Sequence, residues 1–181
     1  EEATGRGVDV EIGPDRYARI QAGVGDAGGA APWRLDAYAL GSRSFRDEEG
    51  VDQQKLTAQM GFPEAPGAPR LLLSYANLNQ ETAGFIEGFQ AYRDSRRFTN
   101  ANPEAFRDGR AWRAQGRWRW QPAEGVELGW VPYARRDELR FIQHFTPGKP
   151  LEETGSESFG SQINLDLLAG PWQWRLGMDL E

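Results

Sequence analysis

The chain has 181 residues, no cysteine and a formal net charge of −6, which excludes a disulfide framework, a zinc finger and a redox pair and argues against general nucleic-acid binding. Seven Trp, five Tyr and nine Phe are too many for a solvated disordered tail. The longest aliphatic run, Leu71–Leu73, is far too short for a transmembrane helix.

Taken in chain order, the dominant pattern is period-two alternation. Val8–Ile12, Tyr17–Val24 and Trp33–Leu40 carry it weakly. Gln53–Phe62 carries it cleanly, with Leu56, Ala58, Met60 and Phe62 opposed to Lys55, Thr57, Gln59 and Gly61. Arg70–Leu78 follows. Arg110–Gln121 then sets Trp112, Ala114, Gly116, Trp118 and Trp120 against Arg113, Gln115, Arg117, Arg119 and Gln121. Val126–Tyr133 and Phe159–Leu168 are weaker. Trp172–Glu181 closes the series with Trp172, Trp174, Leu176, Met178 and Leu180 on one side. Asn102–Gly109 reads as one short helical turn, with Asn102 as cap and Pro103 at the first helical position. The expectation is an all-β chain of about nine strands.

The connections predict an architecture. From the third onward they alternate long and short, with long stretches at 42–50, about 81–109 and about 137–157. The short ones lie at 63–69, 122–125 and 170–171. In an up-and-down meander, alternate connections lie at opposite ends. Long loops at one end and tight turns at the other characterise a transmembrane β-barrel. The apolar side mixes Ala18, Ala22, Ala58, Ala114 and Gly116 with Trp and Leu. A packed sandwich core needs interlocking branched residues, whereas fluid lipid does not. Trp33, Tyr75, Trp120, Trp130, Tyr133 and Trp172 fall near strand ends, where aromatic girdles lie. The competing architecture is a soluble carbohydrate-binding β-sandwich, with exposed aromatics stacking on sugar rings. A small closed barrel acting as an esterase or adhesin would require residues 1–12 to pair with 171–181. The chain opens Glu1-Glu2-Ala3 without Met and ends at Glu181 directly after a patterned segment, which reads as an interior piece of a longer protein.

Particular stretches resemble a known family. Asn77–Gly88 (NLNQETAGFIEG), Asn102–Trp118 (NPEAFRDGRAWRAQGRW) and Pro132–Gly160 (PYARRDELRFIQHFTPGKPLEETGSESFG) are similar to the first barrel strands of TonB-dependent receptors, and Gly5–Gly25 is similar to the barrel entry after the plug. The resemblance covers nearly the whole of 1–181. It implies part of a 22-stranded outer-membrane barrel that imports ferric siderophores or other scarce nutrients. Implied with it are the bacterial outer membrane as location, lipid around the wall, and the TonB complex acting through a plug region not present in these residues. No covalent chemistry and no cofactor are implied. The pattern of nine strands predicts an open, partial barrel with two free edges.

In such a receptor, outer loops hold anionic chelates. The first long stretch supplies Tyr92, Arg93, Arg96 and Arg97, and the second supplies Arg136, Arg140 and His144. Arg suits carboxylate, catecholate or hydroxamate oxygens because its planar fork donates paired charge-assisted bonds. Pairing of these arginines with Glu87, Asp94, Asp137 or Glu138 is the structural alternative. His144 is the only histidine, and one imidazole without partner ligands predicts no metal site. Ser156, Ser158 and Ser161 lack a nucleophile-elbow context, and Glu48-Glu49 and Glu152-Glu153 read as solvated charge. Arg113, Arg117 and Arg119 interleave with Trp112, Trp118 and Trp120, but alternation puts the two types on opposite faces. Single-stranded nucleic acid needs both on one surface. The Arg row is therefore expected in the lumen.

Overall fold

A computed structural model describes residues 5–181. The reading of an interior start falls on Glu1–Ala3, outside the described residues. Nine strands form one antiparallel sheet in strict chain order: β1 (Gly5–Ile12), β2 (Ala18–Asp26), β3 (Trp33–Arg43), β4 (Gly50–Gly61), β5 (Arg70–Glu81), β6 (Phe106–Ala123), β7 (Val126–Ile142), β8 (Leu151–Ala169) and β9 (Trp172–Leu180). No second layer covers either face among the described residues, so the sandwich reading is overturned. The small closed barrel fails too, since β1 and β9 both remain free edges.

Every expected strand is present, but three run well past their expected limits. β7 and β8 are paired continuously from Val126↔Leu167 to Ile142↔Leu151, so the expected long loop 137–157 shrinks to 143–150. Residues 102–109 do not form a helical turn beyond one reverse turn, closed by the Ala105 N–H donating to the Asn102 carbonyl at 2.9 Å. From Phe106 the chain is already strand. The length difference between the two sheet ends therefore survives in altered form. One rim carries loop 82–105 and the projecting ends of β6, β7 and β8. The opposite rim carries the tight turns 124–125 and 170–171. At the latter, Gly170 has φ +60 ahead of Pro171, the positive first position that a II′ hairpin turn requires. The third connection, 44–49, is shorter than the fourth, 62–69, so length alternation holds only from the fifth onward.

Register explains how the faces are laid out. Val10 pairs with Ile20, Ile20 with Ala39, Ala39 with Gln54 and Gln54 with Asn77. The same row continues through Arg110 and Glu138 to Gly155. It is apolar where it begins and polar where it ends. On the other side of the molecule Trp120, Leu128, Leu165 and Leu176 share an apolar row. The apolar band thus crosses the hydrogen-bonded rows obliquely, sliding about ten residues over eight strand pairings. With a rise of about 3.3 Å per residue and a strand spacing of about 4.8 Å, this slope corresponds to a strand tilt of about 40°, as membrane barrels require. Along β6 the band runs from Trp112 to Trp120, roughly 26 Å of strand.

Aromatic side chains border the band. Trp118 and Trp130 lie 4.9 Å apart, centroid to centroid, and Trp120 stacks on Trp130 at 6.5 Å. Trp33, Trp172 and Trp174 continue this border toward β3 and β9, while Tyr75 and Trp112 mark the other. Tyr133 departs from the expected girdle: it sits on the polar face, and its hydroxyl donates to Glu181 at 3.1 Å over Gly160. Loop 62–69 folds against the Trp120 ring. At Gly67 (φ +76) a Cβ would stand 2.5 Å from the indole Nε1, so only glycine fits this approach.

The chain has almost no interior. The buried hydrophobic side chains among the described residues are Ala91 and Ala105 alone, both in loop 82–105. Trp174, Leu176 and Met178 are each more than half exposed. Roughly 25 cal/mol per Å² favours covering such surface, and nothing within the sheet does so.

Candidate functional site

The rim carrying the long loop is held together by contacts between connections. Loop 44–49 docks on loop 82–105. Asp47 N–H donates to the Phe98 carbonyl at 2.7 Å, Arg46 donates to the Thr99 carbonyl at 3.0 and 3.2 Å, and Asn100 donates to the Glu48 carbonyl at 3.0 Å. Phe45 meets Phe98 edge-on at 6.5 Å. Lys149 of loop 143–150 pairs with Glu104. Three connections thereby form one platform, with the apex of loop 82–105 above it.

That apex is built from two 3₁₀ turns, Ala91–Arg93 and Ser95–Phe98. Asp94 caps the second, accepting from Arg96 N–H at 2.9 Å. Its carboxylate also grips the Arg96 guanidinium, with the closest contact at 2.5 Å. Arg96 is thus committed to local structure. Arg93 lies over the Tyr92 ring at 5.4 Å and donates to Gln90 at 2.9 Å. Arg97 lies over Phe98 at 4.5 Å. Neither has a carboxylate in ion-pair range among the described residues. Tyr92, Phe89 and Phe85 are largely exposed around them, Phe89 at 90%. Four guanidinium and phenol groups predicted from sequence are therefore gathered at one apex, although only Arg93 and Arg97 are free of acids. The exposed Phe85 and Phe89 were missed, because isolated aromatics in an irregular stretch carry no period.

The other three predicted residues lie elsewhere. Arg136 and Arg140 are on β7, not in a loop, and both are on the face that carries Trp112 and Ala134. Arg136 pairs with Glu138 at 2.6 Å and Glu157 at 2.7 Å, and Arg140 pairs with Glu153 at 2.8 Å. They belong to a charged flank beyond the apolar band and point away from the polar face. The residues between 135 and 142 are charged on both faces, so no alternation disclosed a strand there. His144 is the second residue of loop 143–150, half-buried and edge-on to Phe145 at 5.6 Å. No group of acidic residues and His144 among the described residues could hold a metal ion.

Two loop carboxylates are held below the usual range: Asp94 by hydrogen bonds from Arg96, and Glu104 by the bond from Lys149. A lowered folded-state pKa means the contribution is complete above about pH 5 and is lost as pH falls through the lowered values. Amide hydrogen-exchange protection in 94–105 is accordingly expected to hold from neutrality to about pH 5 and to drop on further acidification. Unchanged protection at pH 3 would show that these pairs do not anchor the loop.

On the polar face most ion pairs are internal to the wall: Arg19 with Asp9 and Glu11 at 3.1 and 3.0 Å, Arg34 with Asp36 at 2.6 Å, Arg135 with Glu181 at 2.6 Å, and Arg175 with Asp166 at 2.6 Å.

No protein-family profile and no curated protein matches the sequence. Solved structures do match in fold. The siderophore receptor PiuA from Acinetobacter baumannii aligns over 96% of this chain with a TM-score of 0.78 at 13% identity. The ferric-catecholate import receptor Fiu from E. coli K12, in its open form, aligns over 99% with a TM-score of 0.73 at 12% identity. This chain covers 29% and 34% of those two chains, about a third of their length. The resemblance seen in the sequence is thus borne out in architecture: the nine-stranded meander has the fold of the barrel portion of TonB-dependent receptors. The two neighbours are receptors, not enzymes.

Proposed function

We propose that this chain is a section of the wall of a TonB-dependent outer-membrane receptor that captures and imports a scarce nutrient, a ferric siderophore before others. The supporting observation is the tilted apolar band on a single sheet without a second layer. A water-soluble β protein buries such a band, whereas a barrel wall gives it to lipid. The polar face then turns inward, and the rim bearing loop 82–105 turns outward to the medium. Lipid of the outer membrane is the partner of the apolar face, and the TonB complex acts through a plug region of the longer protein. No covalent step is involved: an anionic chelate is bound, and its passage is gated.

Within this section, Tyr92, Arg93 and Arg97 at the loop apex are the residues best suited to meet the ligand, with Phe85 and Phe89 offering flat apolar contact. Arg96 shapes the apex through Asp94, and His144 lies at the foot of the neighbouring loop. Arg136 and Arg140 are assigned a structural part, as they face away from the interior. The test is uptake of labelled ferric chelates by iron-starved cells with and without the gene for the complete receptor. Loss of uptake of one chelate class on deletion, restored by complementation, is the expected result. Undiminished uptake of every ferric chelate, cobalamin and sugar tested would remove the proposal.

A further inference from the structure

The outer flank encloses a concavity of about 560 Å³ that belongs neither to the loop apex nor to the inward face. It begins where the apolar band ends, and three rows in register build it. Trp112, Arg136 and Glu157 form the row nearest the band. Arg110, Glu138 and Gly155 form the next, and Asp108, Arg140 and Glu153 the outermost. Most of these charges are engaged with one another. Arg136 is held by Glu138 at 2.6 Å and by Glu157 at 2.7 Å, and Arg140 by Glu153 at 2.8 Å. Two are left over. Arg110 is exposed and has no ion pair among the described residues. Asp108 has none either, and its carboxylate accepts the Asn79 amide at 3.1 Å.

Residues two apart on one strand can pair on this wall, as Arg34 does with Asp36 and Arg136 with Glu138. Arg110 and Asp108 do not. They share a face of β6, separated by roughly 7 Å of strand, with the cation next to the apolar band and the carboxylate farther out. What complements them is a group that is negative beside the hydrocarbon and positive beyond it. Toward the band the wall is shallow. Ala114 and Ala134 lie in register between Leu73 and Phe159, and Phe159 is 82% exposed. One row further in, the Trp118 ring folds over Gly116. Two methyl groups between a leucine and a phenylalanine leave a channel two strands wide, leading from the concavity into the band. A hydrocarbon chain laid there covers apolar surface that the sheet itself leaves open.

We propose that this outer flank binds one lipid of the surrounding bilayer, of the class whose headgroup phosphate carries a primary amine. The phosphate meets Arg110, the ammonium meets Asp108, and an acyl chain lies over Ala114 and Ala134. A guanidinium gives phosphate oxygens paired charge-assisted bonds, and a carboxylate accepts the N–H donors of an ammonium. The charges around the site select against other headgroups. An anionic headgroup without an amine gains Arg110 but meets Asp108, Glu138 and Glu153 at like charge. A quaternary amine has no N–H to donate to Asp108. The inference rests on the barrel reading, since only a membrane wall turns this face to lipid.

The complete receptor, inserted in phosphatidylcholine vesicles, is titrated with phosphatidylethanolamine or phosphatidylglycerol bearing brominated acyl chains. Tryptophan quenching is recorded for the wild type, Arg110→Gln and Asp108→Asn. Trp112 borders the site, and the difference between wild type and variant isolates this site from the rest of the wall. The wild type is expected to take phosphatidylethanolamine ahead of both other lipids. Each variant is expected to weaken that binding by about tenfold, and Asp108→Asn to abolish the preference over phosphatidylglycerol. Phosphatidylglycerol binding as tightly as phosphatidylethanolamine in the wild type overturns the proposal without recourse to a variant. Equal quenching by phosphatidylethanolamine in all three proteins overturns it as well. Protease resistance of the vesicle-inserted wild type reports the barrel reading separately. Its absence sinks that reading and this inference together, whereas resistance with equal quenching removes the inference alone.

Discussion

Replacing Ile163 with Arg is expected to destabilise the membrane-inserted receptor by about 2–4 kcal/mol, while Gln162→Arg, one residue away, leaves stability within about 0.5 kcal/mol. Ile163 stands midway along the apolar stretch of β8, between Trp130 and Met178 in register. A guanidinium there must be brought into hydrocarbon with no partner in either neighbouring strand, and the apolar contact of the isoleucine is lost as well. Gln162 points to the other face, where its amide donates to Asp179 at 3.0 Å. An arginine at that position gains a carboxylate. Denaturant unfolding of the receptor in vesicles of fixed lipid composition measures both. Equal effects for the two substitutions would mean that the faces are assigned wrongly and that lipid does not meet the tryptophan-bearing side.

The second large effect concerns the loops. The Arg93→Ala/Arg97→Ala double variant is expected to weaken capture of an anionic chelate by about 100-fold, at tenfold for each charge-assisted contact. Arg136→Ala/Arg140→Ala is expected to change it less than about threefold. The reason is geometric. Arg93 and Arg97 rest on aromatic rings at an exposed apex without a carboxylate, so their donors are available. Arg136 and Arg140 are already engaged with Glu138, Glu157 and Glu153 on the outer flank. Quenching of intrinsic tryptophan fluorescence by the chelate, in the complete receptor, yields both constants. A larger loss from the β7 pair than from the apex pair would reverse the assignment.

The contrast between these two arginine pairs also shows how far the sequence could be read. Both pairs lie in long polar stretches between recognisable strands, and by composition they are equivalent. Loop 82–105 is irregular as expected, because Pro103, the two glycines Gly84 and Gly88 and scattered aromatics give it no period. Residues 135–142 and 151–158 look equally unpatterned, yet they are strand. Beyond the apolar band both faces of a strand carry polar and charged side chains, so the apolar half of the alternation is missing. What makes these residues extended is backbone pairing of β7 with β8, which leaves no trace in side-chain polarity.

Within the patterned segments, strand identity and the sorting of side chains to two faces are local consequences of period two, and the sequence by itself determined them; the meander order was read from the connections. Gln53–Phe62, Arg110–Gln121 and Trp172–Glu181 needed no partner to disclose which residues stand together. Tertiary structure alone decided the register, and register decided the rest: the oblique course of the apolar band, the placing of Arg136 and Arg140 on the outer flank, and the facing of Arg70 with Arg117. The physical reason is that register is a relation between segments many residues apart, set by hydrogen bonds common to every residue type. Side-chain pattern in one segment carries no record of it.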